Sequence, residues 1–169
     1  FSGISGDMIL SALVDAGLEF KVLKEELKKL PVADYELKYE KVIKKGIAGT
    51  KVSVITTAEV ESPSKMIELV EKSALDDDIK QKSKEILYRM IEAEAKVHGK
   101  IKSKSQNPNS KINEVHFHEL GSLDTIIDVV GAVIGIKMLG IDEVYSSPLN
   151  IGGGMIKMRH GILPAPGPA

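Results

Sequence analysis

Cysteine is absent from this 169-residue chain, and acidic and basic residues nearly cancel, leaving a formal net charge of -1. Without thiols there is no disulfide scaffold, no structural zinc ribbon and no cysteine nucleophile, so a soft metal ligand has to come from methionine or from a substrate. The missing charge excess removes the basic footprint of a nucleic-acid binder, and nucleic acid is not an expected partner. The longest apolar run is closed by Lys137 before it reaches the roughly 20 residues that a bilayer-spanning helix needs. No stretch reads as a signal peptide. No membrane association is expected, and a cytoplasmic location fits all of these absences. There is no internal repeat.

What remains is the composition of a soluble globular protein, 43% apolar and 28% charged. The length allows one ordinary core or two small lobes. Both ends read as cut. The chain opens on Phe1 with a glycine-rich turn of the kind that usually follows a strand, and it closes on the proline-alternating stretch Pro164-Ala165-Pro166-Gly167-Pro168-Ala169. A fragment of a larger protein, truncated at both ends, is therefore expected.

Along the chain, helical spacing runs from Met8 to Ala16, with Gly17 placed to end it. A second amphipathic helix spans about Glu19 to Leu30 and stops at Pro31. Residues 35 to 43 and 51 to 57 are β-branched or alternating and predict a strand pair. Ser62-Pro63 predicts a capped helix to about Ser73, and Asp76-Asp77-Asp78 opens a longer one to Val97. Those three acids complement the helix dipole; the glycine and terminal glutamate of a calcium loop are missing. Lys100 to Lys111, polar and without acids, predicts a mobile loop of about residues 99 to 113. A buried helix to about Leu139 follows, then a strand from Asp142 to Ile151, interrupted or at an edge because of Pro148. Gly152-Gly153-Gly154 predicts a turn and Met155 to Arg159 a last strand. Interleaved helices and strands predict an α/β (or α+β) fold, a layered sheet with packed helices.

The chemistry concentrates at His116-Phe117-His118-Glu119 and the helix-opening stretch that begins at Gly121. On an extended segment the two-residue period puts both imidazoles on one face. Asp124 and Asp128, four apart, form one acidic stripe near the positive end of a helix. Neutral imidazoles and carboxylates are what first-row divalent cations bind when thiolates are absent. A histidine pair beside a helix capped by Ser122 needs no metal, however, and the spacing alone leaves both readings open. Asp128 favours the site. It sits in a helix apolar nearly all round, where a carboxylate is costly unless paired or hydrogen-bonded. Gly131 and Gly135 continue its stripe and predict close approach of another backbone.

Weaker signals lie elsewhere. The turn Ser2-Gly3-Ile4-Ser5-Gly6-Asp7 could present backbone N–H groups to an anion at a helix N-terminus, or Ser5 could simply cap that helix. Its glycine spacing matches neither the P-loop nor the dinucleotide fingerprint. His98 reads as a C-terminal dipole partner, and Met155 and Met158 as ordinary strand side chains. His160 on its own is more often structural or exposed than a ligand.

Taken together, Phe1-Ser2-Gly3-Ile4-Ser5-Gly6-Asp7-Met8, His116-Phe117-His118-Glu119-Leu120-Gly121, the Asp124 to Gly131 stretch and His160-Gly161-x-Leu163-Pro164-x-Pro166 resemble the LarC family of nickel-insertion proteins. The motifs stand in the family's order along almost the whole chain, which reads as the N-terminal part of such a protein. The resemblance implies a cyclometallase, a lyase that inserts nickel into pyridinium-3,5-bisthiocarboxylic acid mononucleotide. The reaction depends on CTP and yields the nickel-pincer nucleotide of lactate racemase and its relatives. CTP and manganese would sit on a separate C-terminal domain that is absent here, so this chain alone is expected to be inactive. The histidine-rich stretch of many members is also missing.

Under this resemblance His116 and His118, with Asp128 or Asp124, would hold incoming nickel, and Glu119 or His160 would take the proton displaced from the ring. Ser2, Gly3, Ser5, Gly6 and Asp7 would cradle the nucleotide phosphate. The thiolated pyridinium mononucleotide is the expected substrate, and a homo-oligomer is expected. The alternatives are a metallochaperone that binds nickel without catalysis, and a structural or oligomerisation domain.

Overall fold

The structure, a computed structural model, describes residues 4–60, 62–97, 121–150, 152–158 and 161–165. Among them the chain forms an α+β arrangement of five helices and two small antiparallel sheets. The helices are α1 (Gly6–Asp15), α2 (Phe20–Leu27), α3 (Pro63–Glu71), α4 (Asp77–Val97) and α5 (Leu123–Met138). The strands are β1 (Tyr35–Lys44) and β2 (Ile47–Thr56), which pair with each other, and β3 (Met155–Met158) and β4 (Gly161–Pro164), which form the second pair.

Helix α5 is the centre of the molecule, in contact with α1, α2, α4 and β2. Its Leu123, Ile126, Ile127, Val130 and Ile134 are buried, as its nearly all-round apolar sequence predicts. Leu10 and Leu13 of α1, Leu23 and Leu27 of α2, Met66 and Val70 of α3, and Leu87 of α4 close over it. The β1–β2 hairpin turns at Lys45 and Gly46, both at positive φ (51° and 81°), the conformation a two-residue hairpin loop needs. Ala48 and Gly49, expected in the connection, instead belong to β2, because this tight turn leaves room for ten-residue strands. Leu37 and Val52 turn inward, and Phe20 stacks on Tyr39 at 5.3 Å, seating the hairpin on the helices.

Most expected boundaries stand within a few residues. Gly17 ends α1 at φ 119°, Ser62 caps α3 by accepting from the Lys65 N–H, and Asp77 and Asp78 occupy the first turn of α4. The strand expected from Asp142 to Ile151 is absent over its described residues: 142–150 carry no regular structure, and each is exposed, while Ile151 lies outside the described residues. The sequence has strand composition, but a strand exists only through ladder hydrogen bonds to a neighbour, and no described strand lies beside this segment. Beyond it, the last strand is half of a hairpin, with β4 paired to β3 in the register Met155↔Pro164. The expected loop of residues 99–113 lies outside the described residues.

Candidate functional site

The start of α5 is held from the side. The Leu123 N–H donates to the Ala58 carbonyl (3.1 Å) and the Val60 N–H to the Gly121 carbonyl (2.6 Å), so residues 58–60 run as a strap beside residues 121–123. Ser122 caps the helix, accepting from the Asp124 N–H, and its hydroxyl also donates to the Asp124 carboxylate. These bonds fix the first turn of α5.

Opposite it stands the first turn of α1. Here Ser5 occupies the N-cap position but does not cap with its side chain; its hydroxyl donates to the Asp7 carboxylate instead, and the Met8 N–H reaches the same carboxylate at 2.9 Å. Simple capping by Ser5 therefore does not account for this turn. Ser11 ties the helix down, donating to the Asp7 carbonyl and accepting from the Val52 N–H of β2 (2.9 Å).

The two helices meet along complementary stripes. Gly6, Leu10 and Leu13 of α1 lie against Asp128, Gly131 and Gly135 of α5. The glycines of α5 make room for leucine side chains rather than for a backbone: a Cβ at Gly131 would stand 2.8 Å from Leu10 Cδ2, and one at Gly135 would stand 2.7 Å from Leu13 Cδ1. The close backbone approach occurs at the other end, where a Cβ on Gly6 would fall 2.3 Å from Asp128 Oδ2 and 2.4 Å from Asp128 Cβ. No side chain fits there without separating the helices. Gly6 thus has a packing role that its place in a small-residue turn does not reveal. The signal in the sequence was the match of two i, i+3 or i+4, i+7 stripes, small residues against large.

Asp128 is where this packing has a chemical consequence. Its Oδ1 is buried and has no hydrogen-bond partner among the described residues. Burial pushes the carboxyl up to about 7, helped by the negative charges of Asp124 and then Asp7. Among the described residues no lysine or arginine clamps it: the basic residue of α5's last turn, Lys137, is engaged with Asp76 (2.8 Å) and Asp78 (2.7 Å) at the far end of the helix. Asp7, Asp124 and Asp128 therefore form a negative region in which the Asp128 carboxyl takes up a proton near neutral pH. Three acids do not make a complete ligand set. Among the described residues, no three histidine, aspartate or glutamate side chains are gathered closely enough to hold a metal ion.

Of the site residues expected from the sequence, the structure brings Gly6, Asp7, Asp124 and Asp128 to one end of the α1–α5 interface, with Ser5 bonded to Asp7. His116, His118, Glu119 and His160, as well as Ser2 and Gly3, lie outside the described residues, as does His98.

Comparison with known proteins gives this acidic helix interface its context. The family model described as nickel insertion protein matches residues 1–169, the whole chain. The chain belongs to the nickel insertion protein family. A relative from Desulfitobacterium hafniense (strain DSM 10664 / DCB-2), named pyridinium-3,5-bisthiocarboxylic acid mononucleotide nickel insertion protein, is 46% identical over 171 residues. That match takes in 100% of this chain and 40% of the relative. A Geobacillus kaustophilus protein of the same name is 39% identical over 181 residues, covering 100% of this chain and 42% of that protein. The chain thus spans about two fifths of the length of the curated family members it matches, and the match lies in their N-terminal part. No solved structure matches it. No helix among the described residues is long and apolar enough to cross a membrane.

Proposed function

We propose that this chain receives nickel and positions the nucleotide in a nickel-inserting enzyme that acts on pyridinium-3,5-bisthiocarboxylic acid mononucleotide. The observation that carries the reading is Asp128: a carboxylate with a buried oxygen that has no hydrogen-bond partner and no basic neighbour among the described residues, in a family whose relatives are named for nickel insertion. Nickel here is a substrate. In the product it is held by two sulfurs and one carbon of the nucleotide, so a chain without cysteine lacks nothing that the reaction requires. The protein has to deliver the ion, hold ring and phosphate, and accept the proton released as the nickel–carbon bond replaces the carbon–hydrogen bond.

His116 and His118 would supply the nitrogen ligands, with Asp128 or Asp124 completing the set in the form borderline divalent ions accept. Ionised Asp128 is the form that binds, so ion capture and proton release are coupled there. Glu119 or His160 would take the ring proton. The turn from Ser2 to Asp7 would hold the phosphate through backbone N–H groups. Asp7 opposes an anion at this helix end, which makes a cation on the neighbouring acids a condition for phosphate to bind. CTP and manganese would be bound by a further domain of the full-length enzyme, whose product would be the nickel-pincer cofactor of lactate racemase-type enzymes.

Calorimetric titration with nickel, with and without the thiolated nucleotide, tests the reading. Nickel binding lost in both the His116→Ala/His118→Ala pair and Asp128→Asn supports it; unchanged affinity in the histidine pair discards the ligand assignment, and unchanged affinity in Asp128→Asn discards Asp128 as the carboxylate ligand in favour of Asp124. Nickel binding indifferent to the nucleotide would make the chain a metallochaperone. No binding at all would leave a structural or oligomerisation domain.

A further inference from the structure

Past Leu139 the chain changes character. Every residue from Ile141 to Asn150 is exposed, including Val144 at 72%, Tyr145 at 85% and Leu149 at 70%. The β3–β4 hairpin continues the pattern, with Met155 and Ile162 both about two-thirds exposed. None of these side chains joins the core, which is built from residues up to Leu139. Burying a large apolar side chain gains about 1.5–3 kcal/mol, so a run of exposed ones along one stretch of an otherwise well-packed chain is a surface lacking its cover. The backbone points the same way. Residues 142–150 have strand composition but no strand beside them, and β3 and β4 pair only with each other among the described residues. A two-stranded hairpin is marginal by itself, and its open edges are templates for further pairing.

Two occupants could cover this surface, a second copy of the chain or polypeptide from elsewhere in a family-length protein. A two-fold interface needs a preformed, self-complementary patch, and residues 142–150 present no regular element from which to build one. The curated relatives, in contrast, match this chain over only 40 to 42% of their length, and over their N-terminal part. They carry ample polypeptide outside the match. We propose that Ile141–Asn150 and the β3–β4 hairpin form a docking edge, onto which the part of a family-length member outside the matched region adds a β-strand with an apolar face. This inference is independent of the nickel reading and stands or falls without it.

Hydrogen exchange followed by mass spectrometry, on this chain and on the Desulfitobacterium hafniense relative, tests it. The amides of residues 142–150 should exchange freely in this chain, and those of β3 and β4 no more slowly than a two-stranded hairpin by itself allows. The aligned amides of the relative should exchange roughly 100-fold more slowly, as those of paired strands do. Val144→Asp and Tyr145→Asp should leave the thermal midpoint of this chain unchanged. Free exchange in both proteins overturns the proposal. So does protection of residues 142–150 already present in this chain, or protection in the relative that is lost on dilution to its monomer, which would assign the surface to a second copy. A midpoint lowered by several degrees in either variant would mean that these side chains are packed within this chain, and would overturn it as well.

Discussion

Replacing Asp128 by asparagine removes one ionisable group and little volume, so it isolates the consequence of placing a carboxyl between α1 and α5. The Asp128 carboxyl is held at about 7 in the folded chain against a reference of 3.8. Between those values the folded state binds more protons than the unfolded state, so the contribution of Asp128 to stability is present below about pH 4 and is lost as the pH rises through 7. A rise of about three pH units corresponds to about 4 kcal/mol at 1.36 kcal/mol per unit. The carboxyl keeps partial contact with water, and screening reduces this to about 2 kcal/mol. Asparagine does not titrate. The stability of Asp128→Asn relative to the parent should therefore be near zero at pH 4 and favour the variant by about 2 kcal/mol at pH 8. Urea unfolding followed by circular dichroism from pH 4 to pH 8 measures the difference directly. A variant no more stable than the parent at pH 8 would refute the reasoning, because it would mean that the ionised carboxylate is already satisfied.

Nickel should reverse the balance. At a free concentration 100 times its dissociation constant it should stabilise the parent at pH 8 by about 2.7 kcal/mol and leave Asp128→Asn unmoved, read from the shift in urea midpoint. Gly6→Ala places a methyl group inside Asp128 and should cost about 1–3 kcal/mol in the same assay. Gly131→Ala and Gly135→Ala make their closest contacts with the ends of leucine side chains and should be milder than Gly6→Ala; the opposite order would mean that α1 yields more easily than Leu10 and Leu13. Ser62→Ala removes the cap of α3 and should cost about 1 kcal/mol, seen as a lowered thermal midpoint.

Local rules carried far in this chain. The caps at Ser62 and Ser122, the helix end at Gly17 and the acids opening α4 each act within a few residues of chain, which is why helix boundaries could be read without coordinates. The hairpin strands were readable too, although its turn was placed too broadly, because both Lys45-Gly46 and Ala48-Gly49 are plausible turn residues and only pairing register chooses between them. The segment from Asp142 to Asn150 marks the limit of such rules. Its composition is that of a strand, and composition cannot supply the neighbour that a strand requires.

The same division runs through the candidate site. Residue chemistry alone limits the candidate ligands of a divalent ion to imidazoles and carboxylates, puts Asp128 in a helix otherwise apolar and, through motifs spread along the chain, points to the family. It takes the packing of α1 on α5 to set Gly6 against Asp128, to let Asp7 join Asp124 in raising its proton affinity, and to leave it with no neutralising lysine or arginine among the described residues. Spacing along a helix specifies which residues share a face. What stands opposite that face, and how much water it leaves, depends on a second helix more than a hundred residues away in the chain, and desolvation and neighbouring charge set the behaviour of a carboxylate.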